Sequence, residues 1–199
     1  YYEDLDLKKG RVIDNLRKNL LNSPIYCLKS YFKVIKNIKD VKKNLSKVSD
    51  NVFYSKHHDS HIYYSFFTSH FNKALILSVD GVGEHETASF GTFDGYKMTT
   101  QTIGKYPHSL GLFYSAMTSF LGFKPNEGEY KVMGLAPYGD YMKYRNIFDK
   151  LSTLEFSELV KINMDYFTWD KSDKTMFNSK LGNLIGFEPR EPESKIEQH

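Results

Sequence analysis

Residues 74–105, ALILSVDGVGEHETASFGTFDGYKMTTQTIGK, contain the pattern that decides the fold. The apolar run ALILSVD has the length of a buried strand and ends in Asp80, which is followed at once by a glycine-containing turn. Two further strand-like segments, ETASFGTF and YKMTTQTI, flank Asp94 and Gly95, a pair typical of the type I′ turn of a β-hairpin. The stretch therefore predicts a three-stranded antiparallel meander that begins at Ala74.

Helical patterns precede this meander. Residues 11–48 predict two helices separated by NSP, with Ser23 as the N-cap and Pro24 at the first helical position of the second helix. The segment VFYS at 52–55 predicts a short strand, and residues 57–70 predict a helix.

Further helices are expected after the meander. The segment HSLGLFYSAMTSFLGF predicts a helix that ends near Gly122. Beyond Pro137 the pattern predicts one or two helices and a short segment near VKINMDYF. The mixture of strands and helices assigns the chain to the α/β class.

The composition indicates one globular domain and excludes several classes of protein. A chain of 199 residues with 40% hydrophobic and 16% aromatic content can bury a sizeable core. The net charge of +3 is too small to indicate nucleic-acid binding, and no apolar run reaches the roughly 20 residues needed to cross a bilayer. The single cysteine, Cys27, excludes an internal disulfide and suits a reducing compartment, so the cytoplasm is the expected location.

The basic residues are concentrated in one segment. Seven lysines and one acidic residue, Asp40, lie between Lys29 and Lys47. The lysines fill the polar face of the second predicted helix, and a solvated surface is the ordinary interpretation of such a run. Contact with phosphate or with a membrane surface is the alternative.

The pentapeptide HHDSH, residues 57–61, carries the first candidate site. On a helix, His57 and His61 share one face, whereas His58 lies on another. The zinc-protease pattern is excluded because it needs a glutamate directly after the first histidine. Asp80 ends a strand 23 residues after His57, so two imidazoles and a carboxylate can meet at one sheet edge and suit a divalent transition metal such as iron or zinc. The alternative is a pair of partly buried, hydrogen-bonded histidines.

Two glycine-containing segments are further candidates. The turn DGVG lets the backbone approach a phosphate or a metal closely, although an Asp-Gly pair is more often only a tight turn. The segment PNEGEYKVMGLAPYG at 125–139 places Glu129 and Lys131 between glycines ahead of a short helix, where backbone N–H groups can bind phosphate. It lacks the spacing of a P-loop, and an ordinary loop is the alternative.

Taken in order, HHDSH, LSVDGVGEHET, PHSLGLFYSAMTSFLGF and NEGEYKVMGLAPYG closely resemble the N-terminal part of the nodulation-type and antibiotic-type O-carbamoyltransferases. The resemblance extends from roughly Pro24 to the C-terminus, and related proteins include the hydrogenase-maturation carbamoyltransferase and the tRNA threonylcarbamoyl transferase. It implies an actin-like, sugar-kinase-like ATPase fold (ASKHA) followed by a carbamoyladenylate-forming domain. It also implies an enzyme that makes carbamoyladenylate from carbamoyl phosphate and ATP, and then passes the carbamoyl group to a hydroxyl of a sugar, an antibiotic or a nodulation factor.

The resemblance further implies roles for individual residues. His57 and His61 match the paired histidines that bind an iron-type metal in the family, and Asp80 matches the carboxylate ligand after them. Three residues match the phosphate-facing hairpin of that fold: Gly81, Val82 and Gly83. Two residues lie in another matching stretch and are expected to contact substrate: Glu129 and Lys131.

The departures from the family predict an incomplete enzyme. Nothing in YYEDLDLKKGRV resembles the strand and phosphate-binding turn with which family members begin, and the chain ends at His199, before the expected last metal ligand. We therefore expect residues 51–199 to be a partial N-terminal domain, residues 1–50 to be a basic helical segment of it, and the fragment alone to be inactive. Small-molecule substrates and the missing C-terminal domain are the expected partners. The alternatives are a truncated, non-catalytic remnant and a carbohydrate kinase on the same fold.

Overall fold

The computed structural model describes residues 5–155 and 159–196 of the chain. The chain divides into two compact units, Tyr1–Tyr106 and Pro107–His199, and each is considered by itself. Helices and strands are both present, so the predicted α/β class is confirmed. Within the described ranges, no helix combines the length and apolar character needed to cross a membrane.

Two helices begin the first unit: α1 (Leu5–Asn19) and α2 (Pro24–Leu45). They confirm the predicted helix pair, with Ser23 as the N-cap of α2 and Pro24 in its first turn, although the Ser23 side chain makes no capping hydrogen bond. Val12 of α1 and Cys27 of α2 are buried. The seven lysines between residues 29 and 47 are all exposed, as expected of a solvated helix face.

Three antiparallel strands form the sheet of the first unit: β1 (Ala74–Val79), β2 (Glu86–Phe93) and β3 (Met98–Lys105). β2 lies in the middle, and its pairing with β1 sets Val79 opposite Ala88. The register between β2 and β3 shifts near Ala88, where β2 leaves the turn that follows β1. The predicted meander is therefore confirmed.

Two local predictions near the sheet are wrong. The turn between β2 and β3 is not of type I′, because only Gly95 of the Asp-Gly pair has a positive φ, which is 98°. Instead, the Asp94 carboxylate accepts hydrogen bonds from the N–H groups of Tyr96 and Lys97, both at 2.9 Å, and closes a longer loop. The segment 52–55 is not a strand, since it pairs with no strand in the described part of the chain.

The predicted helix at 57–70 is confirmed as α3 (His57–Phe67), which packs on one face of the sheet. Ile62 of α3 is fully buried and forms an apolar cluster with Phe66 and with Ile76 of β1. Gly91 of β2 permits this close approach, because a methyl group there would lie 2.5 Å from Ile62 Cγ2. The contact fixes the rotation of α3 about its axis, and with it the direction of the histidine face.

The second unit contains four helices, a 3₁₀ helix and a short hairpin among its described residues. Their bounds are α4 Leu110–Phe120, α5 Glu129–Leu135, the 3₁₀ helix Ala136–Tyr138, α6 Tyr141–Leu151, β4 Ser152–Thr153, β5 Lys161–Ile162 and α7 Ser179–Ile185. α4 begins where Ser109 Oγ accepts a hydrogen bond from the Leu112 N–H at 3.0 Å. It ends before Gly122, whose φ is 74°, as predicted. Phe120 and Phe167 are fully buried in the apolar interior of this unit.

Candidate metal centre

The beginning of α3 and the end of β1 meet at one edge of the first unit. His57 and His61 lie one turn apart on the same face of α3, and Asp80 directly follows β1. One donor atom from each of these three residues lies within 4.8 Å of the other two. The convergence expected from their spacing is therefore present.

His57 lies at the centre of this cluster. Its Nε2 hydrogen-bonds with Asp80 Oδ2 and lies 3.0 Å from Nε2 of His61. The His61 Nε2 lies 3.7 Å from the same Asp80 oxygen, and its side chain is 54% exposed, so a small ligand can reach the cluster. The lone pairs of these two nitrogens and of the Asp80 oxygen repel one another at such short distances unless a proton or a cation lies between them. Two imidazole nitrogens and a carboxylate oxygen are a donor set that fits a divalent transition metal.

Local contacts keep the Asp80 carboxylate ionised. Burial by itself raises the pKa of Asp80, but a 2.6 Å hydrogen bond from the Gly81 N–H and the contact with His57 lower it. The net pKa lies below the ordinary value of a carboxyl, so the group is negatively charged at neutral pH. A deprotonated carboxylate is the form that binds a cation.

The turn after β1 uses most of its own backbone donors. The Gly83 N–H donates to the carbonyl of Glu86 at 2.9 Å, and the Gly81 N–H donates to the side chain of Asp80. Of the three amides in the turn, the Val82 N–H is the one with no partner among the residues that the structure describes. The turn thus offers one backbone donor to a ligand, and phosphate binding here stays a prediction.

Gly83 is the point at which this turn contacts α3. A Cβ at Gly83 would lie 2.9 Å from Cβ of His57 and 3.1 Å from its Cγ and Cδ2, so the absence of a side chain makes room for the imidazole. The Gly83 carbonyl accepts a 2.5 Å hydrogen bond from Nη1 of Arg11 on α1. The bare backbone and the arginine together determine how closely the turn approaches His57.

Glu84 is a residue of this site that the sequence analysis missed. It is 2% exposed, and both of its carboxylate oxygens accept from the His57 N–H, at 3.0 and 3.1 Å. The one feature of the sequence that points to Glu84 is its position, directly after the DGVG turn and just before a predicted strand. Its partner, however, begins a helix 27 residues earlier, and no local pattern marks that pairing.

His58 lies on the buried face of α3, away from the three converging donors. It is fully buried, and its Nε2 lies 3.1 Å from the carbonyl of Glu86. Burial lowers the pKa of His58, although the charges of Glu86 and Asp80 act in the opposite direction. The side chain joins α3 to β2, in agreement with the prediction that His58 lies on a different face from the other two histidines.

Glu129 and Lys131 lie on α5 in the second unit. The Glu129 carboxylate accepts hydrogen bonds from the Asn126 N–H at 2.8 Å and from the Ser115 hydroxyl at 2.7 Å, so it holds the turn ahead of α5. Lys131 is exposed, and its Nζ lies 5.8 Å from the centre of the Phe123 ring. Substrate contact by either residue stays a prediction.

Comparison with known proteins supports the resemblance to the carbamoyltransferases. A family model described as "Carbamoyltransferase N-terminus" matches residues 1–196. An uncharacterised protein of Synechocystis sp. is 41% identical over 165 residues, which are 79% of this chain and 27% of that protein.

Two nodulation proteins are also similar to the chain. NolNO of Sinorhizobium fredii is 35% identical over 103 residues, 52% of this chain and 15% of that protein. NolO of Bradyrhizobium diazoefficiens is 34% identical over 109 residues, 55% of this chain and 20% of that protein. The chain thus spans about a quarter or less of the length of these relatives. Because the family model matches nearly every residue, the chain belongs to the carbamoyltransferase N-terminus family.

Proposed function

We propose that the chain is part of an O-carbamoyltransferase with an actin-like ATPase fold. The complete enzyme makes carbamoyladenylate from carbamoyl phosphate and ATP, and transfers the carbamoyl group to a hydroxyl of a sugar, an antibiotic or a nodulation-factor-like acceptor. The observation that carries this proposal is the convergence of His57, His61 and Asp80 beside a glycine turn. Membership of the family and similarity to two nodulation proteins support the same class of reaction.

The residues of the site have separate tasks in this reaction. A divalent metal of the iron type, held by His57, His61 and Asp80, would polarise an oxygen of carbamoyladenylate and stabilise the charge that develops at its carbonyl. The two imidazoles supply nitrogen donors from one rigid helix face, and the ionised carboxylate supplies negative charge. The backbone at Gly81–Gly83 lets a phosphate group approach closely, with the Val82 N–H as its donor. The acceptor hydroxyl attacks the carbonyl carbon and gives up its proton to solvent, the bond from that carbon to the adenylate oxygen breaks, and adenylate leaves with the electron pair.

A carbohydrate kinase on the same fold is the competing function. Such an enzyme needs the Asp-Gly turn but has no use for a histidine pair. The 3.0 Å separation of the His57 and His61 Nε2 atoms, both beside Asp80, therefore favours the carbamoyltransferase over the kinase. A non-catalytic remnant would keep this geometry and differ only in activity.

Metal analysis of purified chains tests the proposed site. We expect the wild-type chain to bind Fe²⁺ or Zn²⁺ stoichiometrically, and the variant with His57→Ala and His61→Ala to bind neither. His70→Ala is the matched control, because His70 is an exposed histidine just beyond the end of α3. Equal metal content in the wild type and the double variant would refute the proposal and favour the kinase.

Activity of the full-length protein distinguishes the enzyme from a remnant. The full-length protein is incubated with ATP, carbamoyl phosphate and candidate sugars, and the products are read by mass spectrometry. We expect a carbamoylated acceptor from the wild type and none from Asp80→Asn. A wild-type protein that binds metal but yields no carbamoylated acceptor and no AMP would identify it as a remnant.

A further inference from the structure

Glu84 is a buried carboxylate at the start of the helix that carries the two histidines. Its side chain is almost completely shielded from solvent. A buried carboxylate is costly unless it accepts good hydrogen bonds. Both oxygens of Glu84 accept from the N–H of His57, at 3.0 and 3.1 Å. The contact joins the turn after β1 to the first residue of α3.

This contact replaces a missing cap of α3. The first N–H groups of a helix have no partner inside the helix, and a side chain at the N-cap usually accepts from one of them. The N-cap of α3 is Lys56, which makes no such bond. Glu84 supplies the acceptor from a different part of the chain, and the positive end of the helix dipole favours its negative charge.

The residue that Glu84 holds is the same residue whose imidazole meets Asp80. The main chain of His57 is bound to Glu84, while its ring lies against Gly83, where an added Cβ would come within 2.9 Å of His57 Cβ. Glu84 and Gly83 are neighbours, so one short segment restrains His57 through both backbone and ring. That segment begins at Asp80, the third member of the cluster.

We propose that Glu84 is a positioning residue for the metal site. It binds the start of α3 to the segment that carries Asp80, and so sets the distance between the imidazole of His57 and that carboxylate. Glu84 acts through His57 and is not itself among the converging donors found in the described part of the chain. The inference rests on the proposed metal-dependent function, because it concerns the geometry of the same three ligands.

Glu86 provides a matched control for the loss of one negative charge. It lies two residues after Glu84, and its carboxylate accepts from the hydroxyls of Ser89 at 3.1 Å and Thr102 at 2.6 Å. The Glu86 side chain therefore binds residues of the sheet, whereas the Glu84 side chain binds the first residue of α3. Replacing either glutamate by glutamine removes the same charge from the same region.

The test is a titration of the 199-residue chain with Co²⁺, followed by the visible absorption of the bound ion. Outer contacts that orient metal ligands are typically worth about 10–100-fold in affinity, so we expect Glu84→Gln to raise the Kd for Co²⁺ by that factor and to change the absorption spectrum. Glu86→Gln should leave both unchanged. Thermal unfolding of each variant is measured in parallel.

A second pair of variants separates positioning from simple helix capping. Lys56→Ser supplies a side-chain cap within α3 itself, where serine is a favoured N-cap residue. Added to Glu84→Gln, it should restore the melting temperature but not the affinity for Co²⁺. The uncharged glutamine has one acceptor oxygen in place of two, so the His57 N–H is still held more weakly to the turn than in the wild type. Lys56→Ser alone is the baseline for the lost lysine charge. This pair also gives a folded protein to titrate if Glu84→Gln alone is too unstable.

Other outcomes would refute either the positioning role of Glu84 or the proposed metal site. Unchanged affinity in Glu84→Gln, equal weakening by Glu86→Gln, or full recovery of affinity with Lys56→Ser would show that Glu84 has no positioning role. Failure of the wild-type chain to bind Co²⁺, or binding that survives His57→Ala, would instead overturn the proposed metal site and the inference with it.

Discussion

Replacement of Gly83 by alanine is the most direct test of how tightly His57 is held. The new Cβ would lie 2.9 Å from His57 Cβ, whereas two carbons in contact prefer at least about 3.5 Å. The imidazole or the turn must therefore retreat by about 0.6 Å, which exceeds the ~0.5 Å tolerance of a working site. The φ of Gly83 lies outside the left-handed region, so the methyl group acts by contact alone.

Two quantities should change in Gly83→Ala. Overpacking a buried position costs about 1–3 kcal/mol in the free energy of unfolding, which urea denaturation measures. Displacement of one ligand should also weaken the binding of Co²⁺ by about tenfold or more, by the scale of contacts that orient metal ligands. The control is Gly10→Ala on α1, where nothing lies within 4 Å of the new methyl group. That variant should keep its metal affinity and gain up to about 1 kcal/mol from helix propensity.

An unchanged Co²⁺ affinity in a folded Gly83→Ala chain would refute this reasoning. It would mean that the turn and α3 adjust independently, and that the contact between Gly83 and His57 does not set the ligand geometry. Equal losses of affinity in Gly83→Ala and Gly10→Ala would refute it as well.

Two further predictions concern the free energy of unfolding, one for a residue of each unit. Gly91→Ala places a methyl group 2.5 Å from Ile62 Cγ2, so it should lower the free energy of unfolding by about 1–3 kcal/mol, seen as a lower urea midpoint with an unchanged slope. Glu129→Gln should destabilise the chain at neutral pH, with a loss that shrinks as the pH falls below 4.5, the ordinary pKa of the carboxyl. Burial raises the pKa of Glu129, but its hydrogen bonds lower it below that value, so the stability it contributes is present above the ordinary pKa and is lost as the pH falls through the lowered one.

Each of these has its own control. Gly134→Ala on α5 introduces a methyl group with nothing within 4 Å and should not destabilise the chain; a loss equal to that of Gly91→Ala would contradict the packing argument. For Glu129→Gln, thermal unfolding is measured across the acid range. A difference from the wild type that stays constant with pH would show that the charge of Glu129 is not responsible.

The three-stranded sheet and the histidine helix could be predicted from the sequence because their signals are local. An apolar run that ends in Asp80, two strand-like segments around a turn, and histidines four residues apart each follow from the period of a strand or helix. The same periods place His57 and His61 on one face. The turn around Gly95 differs from the predicted type I′ turn because Asp94 closes it with its side chain instead of adopting a positive φ.

Contacts between distant segments could not be predicted in this way. The sequence by itself determined the three strands of the meander, the helix that carries the histidines, and which three side chains can meet at the end of β1. Only the tertiary structure decided what holds them there: Glu84 bound to the first residue of a helix 27 positions earlier, and Gly83 leaving room for an imidazole. Periodicity reports which face of an element is buried, but not which atom of another element it meets. Which atoms meet depends on how α3 packs against the sheet through Ile62 and Gly91. This packing depends on the complementary shapes of two segments that are distant in the sequence, so neither segment alone predicts it.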